Sequence, residues 1–128
     1  MTIVRIKETI CYAHRLVGHP KCGILHGHEA RVEIELEGNI DRETGMVVDF
    51  GDLKALIKRY DHQTILAHDD PLVLLIEQVH PVVDIIGPPT AEVLANKLAS
   101  QIKALYKPDC IRVRFFETED NCAEVILT

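Results

Sequence analysis

The sequence predicts an α+β protein, one four-stranded antiparallel sheet with two helices on one face. Three observations carry this reading. Apolar residues recur at every second position in two N-terminal stretches, at three- and four-residue spacing in two central stretches, and at every second position again near the C-terminus. Side chains alternate faces along a strand and return to one face about every 3.6 residues along a helix, so each pattern tells which residues point inward.

From Val4 to Leu16 the even positions are mostly Val4, Ile6, Ile10, Tyr12, His14 and Leu16, against Arg5, Lys7, Thr9 and Arg15 at odd ones, the mark of a half-buried strand. His26 to Gly38 repeats the pattern more strictly, with Ala30, Val32, Ile34 and Leu36 inward and Glu29, Arg31, Glu33, Glu35 and Glu37 outward. Gly18-His19-Pro20-Lys21-Cys22-Gly23 supplies turn residues between them, so an antiparallel hairpin with a long loop is expected. After a turn around Asp41 to Gly45, Asp49 can cap a helix with the stripe Phe50, Leu53, Leu56, Ile57 and Tyr60, ending near Asp61-His62. In the next stretch the pattern is ambiguous. Leu72 to Val79 fits a short helix, and Val82 to Ile86 a strand or extended segment between Pro81 and Gly87-Pro88-Pro89. Thr90 opens a second helix with Leu94, Leu98, Ile102 and Leu105 on one face, and Pro108 closes it. Ile111, Val113, Phe115 and Glu117 then alternate with Arg112, Arg114, Phe116 and Thr118, and Ala123, Val125 and Leu127 form a last strand. Strands, helices and strands in that order place the helices on the apolar face and leave the charged face outward. Two strand edges with unpaired backbone groups predict an oligomer assembled edge to edge.

A chain of 128 residues suits a single domain, 1–128, and 47% apolar residues suit an ordinary globular core. Met1 to Glu8 alternate like a strand and contain no apolar run of the length a signal peptide or membrane span needs. The expectation is a cytoplasmic protein whose cysteines Cys11, Cys22, Cys110 and Cys122 stay reduced. A net charge of −6 argues against nucleic acid or an anionic membrane as the main partner, while a small anion held by a local cluster stays possible.

The chemistry concentrates on histidines. His26 and His28, two apart on a strand, share the face that Ala30 to Leu36 continue, and His14 lies on the matching face of the preceding strand. Inward imidazoles without partners are poorly solvated, and a zinc ion resolves that cost, since three histidines with one open position recur as a catalytic zinc site. For His-x-His alone a chance spacing is the better reading. The third histidine on the matching face tips the balance to a metal. Cys22 could be a fourth ligand closing a structural site, or, in its Gly- and Pro-containing loop beside Lys21, a nucleophile or base. Asp61-His62 offers a base with a carboxylate beside it, although neighbours on a helix diverge. His68-Asp69-Asp70 reads as loop surface, and His19 and His80 as ordinary residues. Glu117 falls on the buried side of its strand and needs a partner, either an arginine or a ligand with two adjacent N–H donors such as an aminopyrimidinone ring.

In order along the chain stand Lys21-Cys22-Gly23-Ile24-Leu25-His26-Gly27-His28, Thr44-Gly45-Met46-Val47-Val48-Asp49-Phe50, Asp61-His62, Pro89-Thr90-Ala91-Glu92 and Glu117-Thr118. This set resembles the 6-pyruvoyltetrahydropterin synthase superfamily over nearly the whole chain. The spacing C-x3-H-G-H, with lysine before the cysteine, is similar to the 6-carboxytetrahydropterin synthase branch of queuosine biosynthesis. The resemblance implies the tunnelling fold, with trimers closing an oligomeric barrel and pairing into hexamers. It also implies a zinc-dependent lyase that converts 7,8-dihydroneopterin triphosphate to 6-carboxy-5,6,7,8-tetrahydropterin, releasing acetaldehyde and triphosphate. By the same resemblance His14, His26 and His28 match zinc ligands, Cys22, Asp61 and His62 the proton-transfer group, Glu117 the pterin anchor and Thr90 its neighbour. Lys21 and Arg15 are candidates for the triphosphate. The chain departs from the family in carrying Ile10 and Tyr12 where Phe and a small residue are usual, and in a longer segment from Asp69 to Pro88. A sister pterin synthase that only eliminates triphosphate and a non-catalytic protein with a closed zinc site are the alternatives.

Overall fold

A computed structural model describes residues 1–128. The first two strands, β1 (Thr2–His14) and β2 (His26–Gly38), form one long antiparallel hairpin whose register runs from Thr2 opposite Gly38 to His14 opposite His26. The alternation holds along both. Ile6, Ile10, Tyr12 and His14 are buried on β1, as are Ala30, Val32, Ile34 and Leu36 on β2, while the opposite face carries charges such as Arg5, paired with Glu35 at 2.6 Å.

The elements that follow are α1 (Phe50–Lys58), β3 (Gln63–Ala67), α2 (Leu72–Glu77), β4 (Val83–Ile85), α3 (Ala91–Tyr106), β5 (Cys110–Phe116) and β6 (Cys122–Leu127). Asp49 caps α1 by accepting from the Gly51 N–H at 2.8 Å, and Thr90 caps α3 by accepting from the Val93 N–H at 3.1 Å. Lys107, left-handed at φ 49°, ends α3 just before Pro108.

The sheet has six strands in the order β4-β3-β1-β2-β5-β6, not four. The expected antiparallel set β1-β2-β5-β6 is intact, and β3 and β4 extend it in parallel beyond β1, making the sheet mixed. The reason β3 escapes the sequence pattern is local: its neighbouring residues Ile65 and Leu66 are both buried, so it shows no alternation. Pairing with β1 specifies it. The short elements α2 and β4 fall within Leu72 to Val79 and Val82 to Ile86, the stretches that fit a short helix and a strand or extended segment.

Both long helices cover the apolar face. Leu53 and Ile57 of α1 are buried, as are Leu94, Leu98 and Ile102 of α3, where Ala91, Ala95 and Ala99 let the helix approach β5 and β6 closely. Each fully buried leucine or isoleucine contributes roughly 1.5–3 kcal/mol. Phe50 and Leu105, expected in these stripes, are 50% and 57% exposed, because they lie at the first and penultimate positions of their helices, where the stripe runs off the sheet. All four cysteines are unpaired. No helix is long and apolar enough to cross a membrane.

Candidate metal centre and active site

The end of the β1–β2 hairpin carries the three histidines, and the register that sets His14 opposite His26, with His28 two residues on, brings them together. Their ligand nitrogens lie within 4.8 Å of one another. The rings meet edge to face, with centroids 4.6 Å apart for His14 and His26, 5.1 Å for His14 and His28 and 4.9 Å for His26 and His28.

Hydrogen bonding fixes which nitrogen of each ring is free. His14 Nδ1 bonds to the Pro89 carbonyl at 2.7 Å and His26 Nδ1 to the Ile24 carbonyl at 2.6 Å. A carbonyl only accepts, so both Nδ1 atoms carry the proton and both Nε2 atoms of the neutral rings present lone pairs. Those Nε2 atoms stand 3.1 Å apart. Two lone pairs at that distance repel unless a cation lies between them. Burial holds the His14 and His28 pKa values below the usual imidazole range, outweighing the opposing pull of the Pro89 carbonyl on His14 and of Glu117 on both. The spacing instead matches the edge of roughly 3.3 Å expected between two nitrogens on a tetrahedral zinc with Zn–N of about 2.0–2.1 Å. His28 Nε2 is buried without a hydrogen-bond partner, and Glu117 Oε1, 3.4 Å away, is not aligned to serve as one. The donor set therefore fits a metal ion, with the two backbone carbonyls orienting its ligands in the usual manner.

Glu117 follows the last residue of β5 and is three-quarters buried, so its carboxylate reaches the triad as the alternation predicts. Beside it lies a residue the sequence reading placed only in the core. Tyr12 is 4% exposed, its ring packed against His14, His28 and Phe115, and its hydroxyl has no hydrogen-bond partner. Burial first, and the Glu117 charge second, push its phenol pKa up, so it stays a protonated donor.

Asp61 and His62 touch, contrary to the expectation that neighbours diverge. His62 takes the left-handed conformation at φ 57°, uncommon for a residue with a Cβ, and its Nδ1 comes to 3.2 Å from Asp61 Oδ2. The conformation is held from β1. The Cys11 N–H donates to Asp61 Oδ1 at 2.8 Å and its carbonyl accepts from the His62 N–H at 2.6 Å. The Cys11 bond leads the interactions that hold the Asp61 carboxyl below its ordinary range, so the group stays ionised beside the imidazole. His62, 82% exposed, and His28 line one open cavity of about 650 Å³ together with Tyr12 and Cys11.

The remaining candidates are placed differently. Cys22 is half-buried in the β1–β2 loop and is not part of the histidine cluster. That loop is braced by His19, whose Nδ1 accepts from the Cys22 N–H at 2.9 Å, and by Gly23, where a Cβ would stand 2.6 Å from the His19 carbonyl oxygen. Lys21 is exposed beside it. Arg15 is engaged by Asp70 through Nε at 2.8 Å and Nη2 at 2.5 Å. Asp70 is 4% exposed and is no surface loop residue, a correction forced by this ion pair, which ties the Asp69–Pro71 turn to the end of β1. Thr90 is spent on its cap, one residue after the carbonyl that orients His14.

With this geometry in place, comparison with known proteins is decisive. The family model described as 6-pyruvoyl tetrahydropterin synthase matches residues 3–126. The chain belongs to this family. A protein of Archaeoglobus fulgidus, provisionally named a 6-carboxy-5,6,7,8-tetrahydropterin synthase, is 35% identical over 96% of this chain and 94% of its own. The 6-carboxy-5,6,7,8-tetrahydropterin synthase of Rickettsia bellii is 34% identical over 88% of this chain and 91% of its own. Among solved structures, the 6-pyruvoyl tetrahydropterin synthase of Plasmodium falciparum superposes with a TM-score of 0.71 at 19% identity, covering 98% of this chain and 97% of that one, which shows the shared fold. Members of the 6-pyruvoyl tetrahydropterin synthase family act on pterins, and the histidine cluster at the hairpin end, with Glu117 beside it, is where this chain gathers groups suited to that task.

Proposed function

We propose that this chain is a zinc-dependent lyase that converts 7,8-dihydroneopterin triphosphate to 6-carboxy-5,6,7,8-tetrahydropterin, with release of acetaldehyde and triphosphate. The observation that carries this reading is the pair of facing Nε2 atoms of His14 and His26, 3.1 Å apart, in a cluster whose third histidine, His28, stands 3.4 Å from the Glu117 carboxylate, together with relatives that bear this enzyme's name.

His14, His26 and His28 would hold a zinc ion, which would supply Lewis-acid stabilisation of charge developing on the substrate's side-chain oxygens. Glu117 accepts two adjacent N–H groups of the pterin's aminopyrimidinone edge and sets the ring's orientation. His62, with Nδ1 held by ionised Asp61, presents Nε2 to take and return protons at the side-chain carbons. Cys22, in the β1–β2 loop, acts as the second proton carrier. Lys21, with the guanidinium edge of Arg15 that Asp70 leaves free, meets the triphosphate. Thr90 supports the pterin pocket by fixing the start of α3. We infer further that the site is completed where copies of the chain meet edge to edge. Cys22 does not line the cavity that holds His28 and His62, so a partner's edge is needed to close the two halves around one substrate.

Incubating the zinc-loaded protein with dihydroneopterin triphosphate tests the reading. Acetaldehyde and triphosphate released in equal amounts is the expected result. Triphosphate without acetaldehyde assigns the elimination reaction instead, and release of neither leaves a closed structural zinc site.

A further inference from the structure

Tyr12 poses a problem that packing does not solve. Its ring is locked on three sides, edge-on to His14 with centroids 5.1 Å apart, edge-on to Phe115 at 5.9 Å and tilted against His28 at 5.8 Å. Phenylalanine would fill that space equally well. The hydroxyl adds only a buried donor with no partner among the protein's own groups, a state that destabilises the fold. Such a group is retained where something outside the chain supplies the missing acceptor.

The surroundings identify that acceptor. Tyr12 and Glu117 both stand against His28: the Tyr12 ring centroid is 5.8 Å from the His28 centroid, and Glu117 Oε1 is 3.4 Å from His28 Nε2. On a 2-amino-4-oxo pyrimidine edge three groups follow one another: the amino N–H, the ring N–H and the carbonyl oxygen. A carboxylate satisfies the first two and can do nothing for the third, which requires a donor.

We propose that the Tyr12 hydroxyl is a further substrate-contacting group of this site, donating a hydrogen bond to the ring carbonyl oxygen next to the N–H groups that Glu117 accepts. Tyr12 and Glu117 then read the three polar positions of the ring edge together. A ring with an amino group in place of the carbonyl loses both the acceptor for the Tyr12 hydroxyl and the ring N–H that Glu117 takes, and binds more weakly. The proposal rests on the pterin reading above and adds a specificity-determining residue to it.

Tyr12→Phe removes only the oxygen. The test measures equilibrium binding of neopterin, which has no triphosphate to lose, to the zinc-loaded full chain, with zinc content and the melting temperature of the ligand-free protein determined alongside. Neopterin is expected to bind the variant roughly tenfold more weakly, with zinc content unchanged and the melting temperature equal or higher, because an unpartnered polar group has been taken out of the interior. With the natural substrate, KM rises and kcat changes little. Affinity within about twofold of the parent overturns the proposal, and so does weaker binding accompanied by a lower melting temperature, which makes Tyr12 a packing residue. If the parent chain itself, fully loaded with zinc, binds no neopterin, the pterin reading fails and the proposal falls with it, an outcome distinct from failure in the variant alone.

Discussion

Pro89 receives a hydrogen bond from His14 Nδ1 at 2.7 Å, so the residue just before the cap of α3 aims the most deeply buried of the three imidazoles. The helix that covers the sheet and the site that uses it share one turn of chain. Thr90→Ala is expected to lower stability by about 1 kcal/mol through loss of the cap and to leave zinc content unchanged, since the Pro89 carbonyl does not depend on the hydroxyl. Urea denaturation with a parallel zinc assay checks both halves, and an unmoved midpoint would count against the capping role.

The ion pair of half-buried Arg15 and buried Asp70 makes a second prediction. Asp70→Ala strands the guanidinium and should cost about 3 kcal/mol. The Arg15 hydrogen bond is the largest cause holding the Asp70 carboxyl below its ordinary value of 3.8. A carboxyl depressed on folding stabilises the protein above its unfolded value, and that contribution is lost as pH falls through the folded one. The stability gap between parent and variant should therefore be full at neutral pH and close as the pH falls below 3.8, measured by denaturation at several pH values.

For the Asp61–His62 pair, Asp61→Asn removes the charge that orients the imidazole while leaving the metal ligands untouched. Turnover is expected to drop by roughly 10²-fold or more, with zinc retained. Steady-state rates near those of the parent would show that the 3.2 Å contact has no part in catalysis.

Cys22→Ala separates the two roles the thiol can have. Retained zinc with turnover reduced by roughly 10²-fold or more supports proton transfer. Loss of zinc from this variant would make Cys22 a ligand and remove the open position on which the lyase reading depends.

Much of this was legible in the residues themselves. Strict alternation on β1, β2 and β5 set His14, His26, His28 and Glu117 on the inner face, because strand periodicity carries over long distances without help from tertiary contacts. What stayed hidden depends on contacts no single segment encodes. The strand β3 is fixed by pairing with β1, not by its own pattern. The carbonyls of Pro89 and Ile24 are main-chain groups and leave no mark in composition. The left-handed turn at His62, which makes neighbours meet, is imposed by Cys11 from another strand. Asp70 looked like surface because its partner lies fifty-five residues away. Tyr12 matched the core pattern so well that its hydroxyl went unremarked.

The central claim is that one catalytic metal ion sits among His14, His26 and His28, and metal analysis of the purified chain tests it most directly. About one zinc per subunit is expected in the parent, and less than about a tenth of that in His28→Ala with the fold retained, since two imidazoles hold zinc far more weakly than three. Equal zinc content in the two proteins, or none in either after reconstitution, would contradict it.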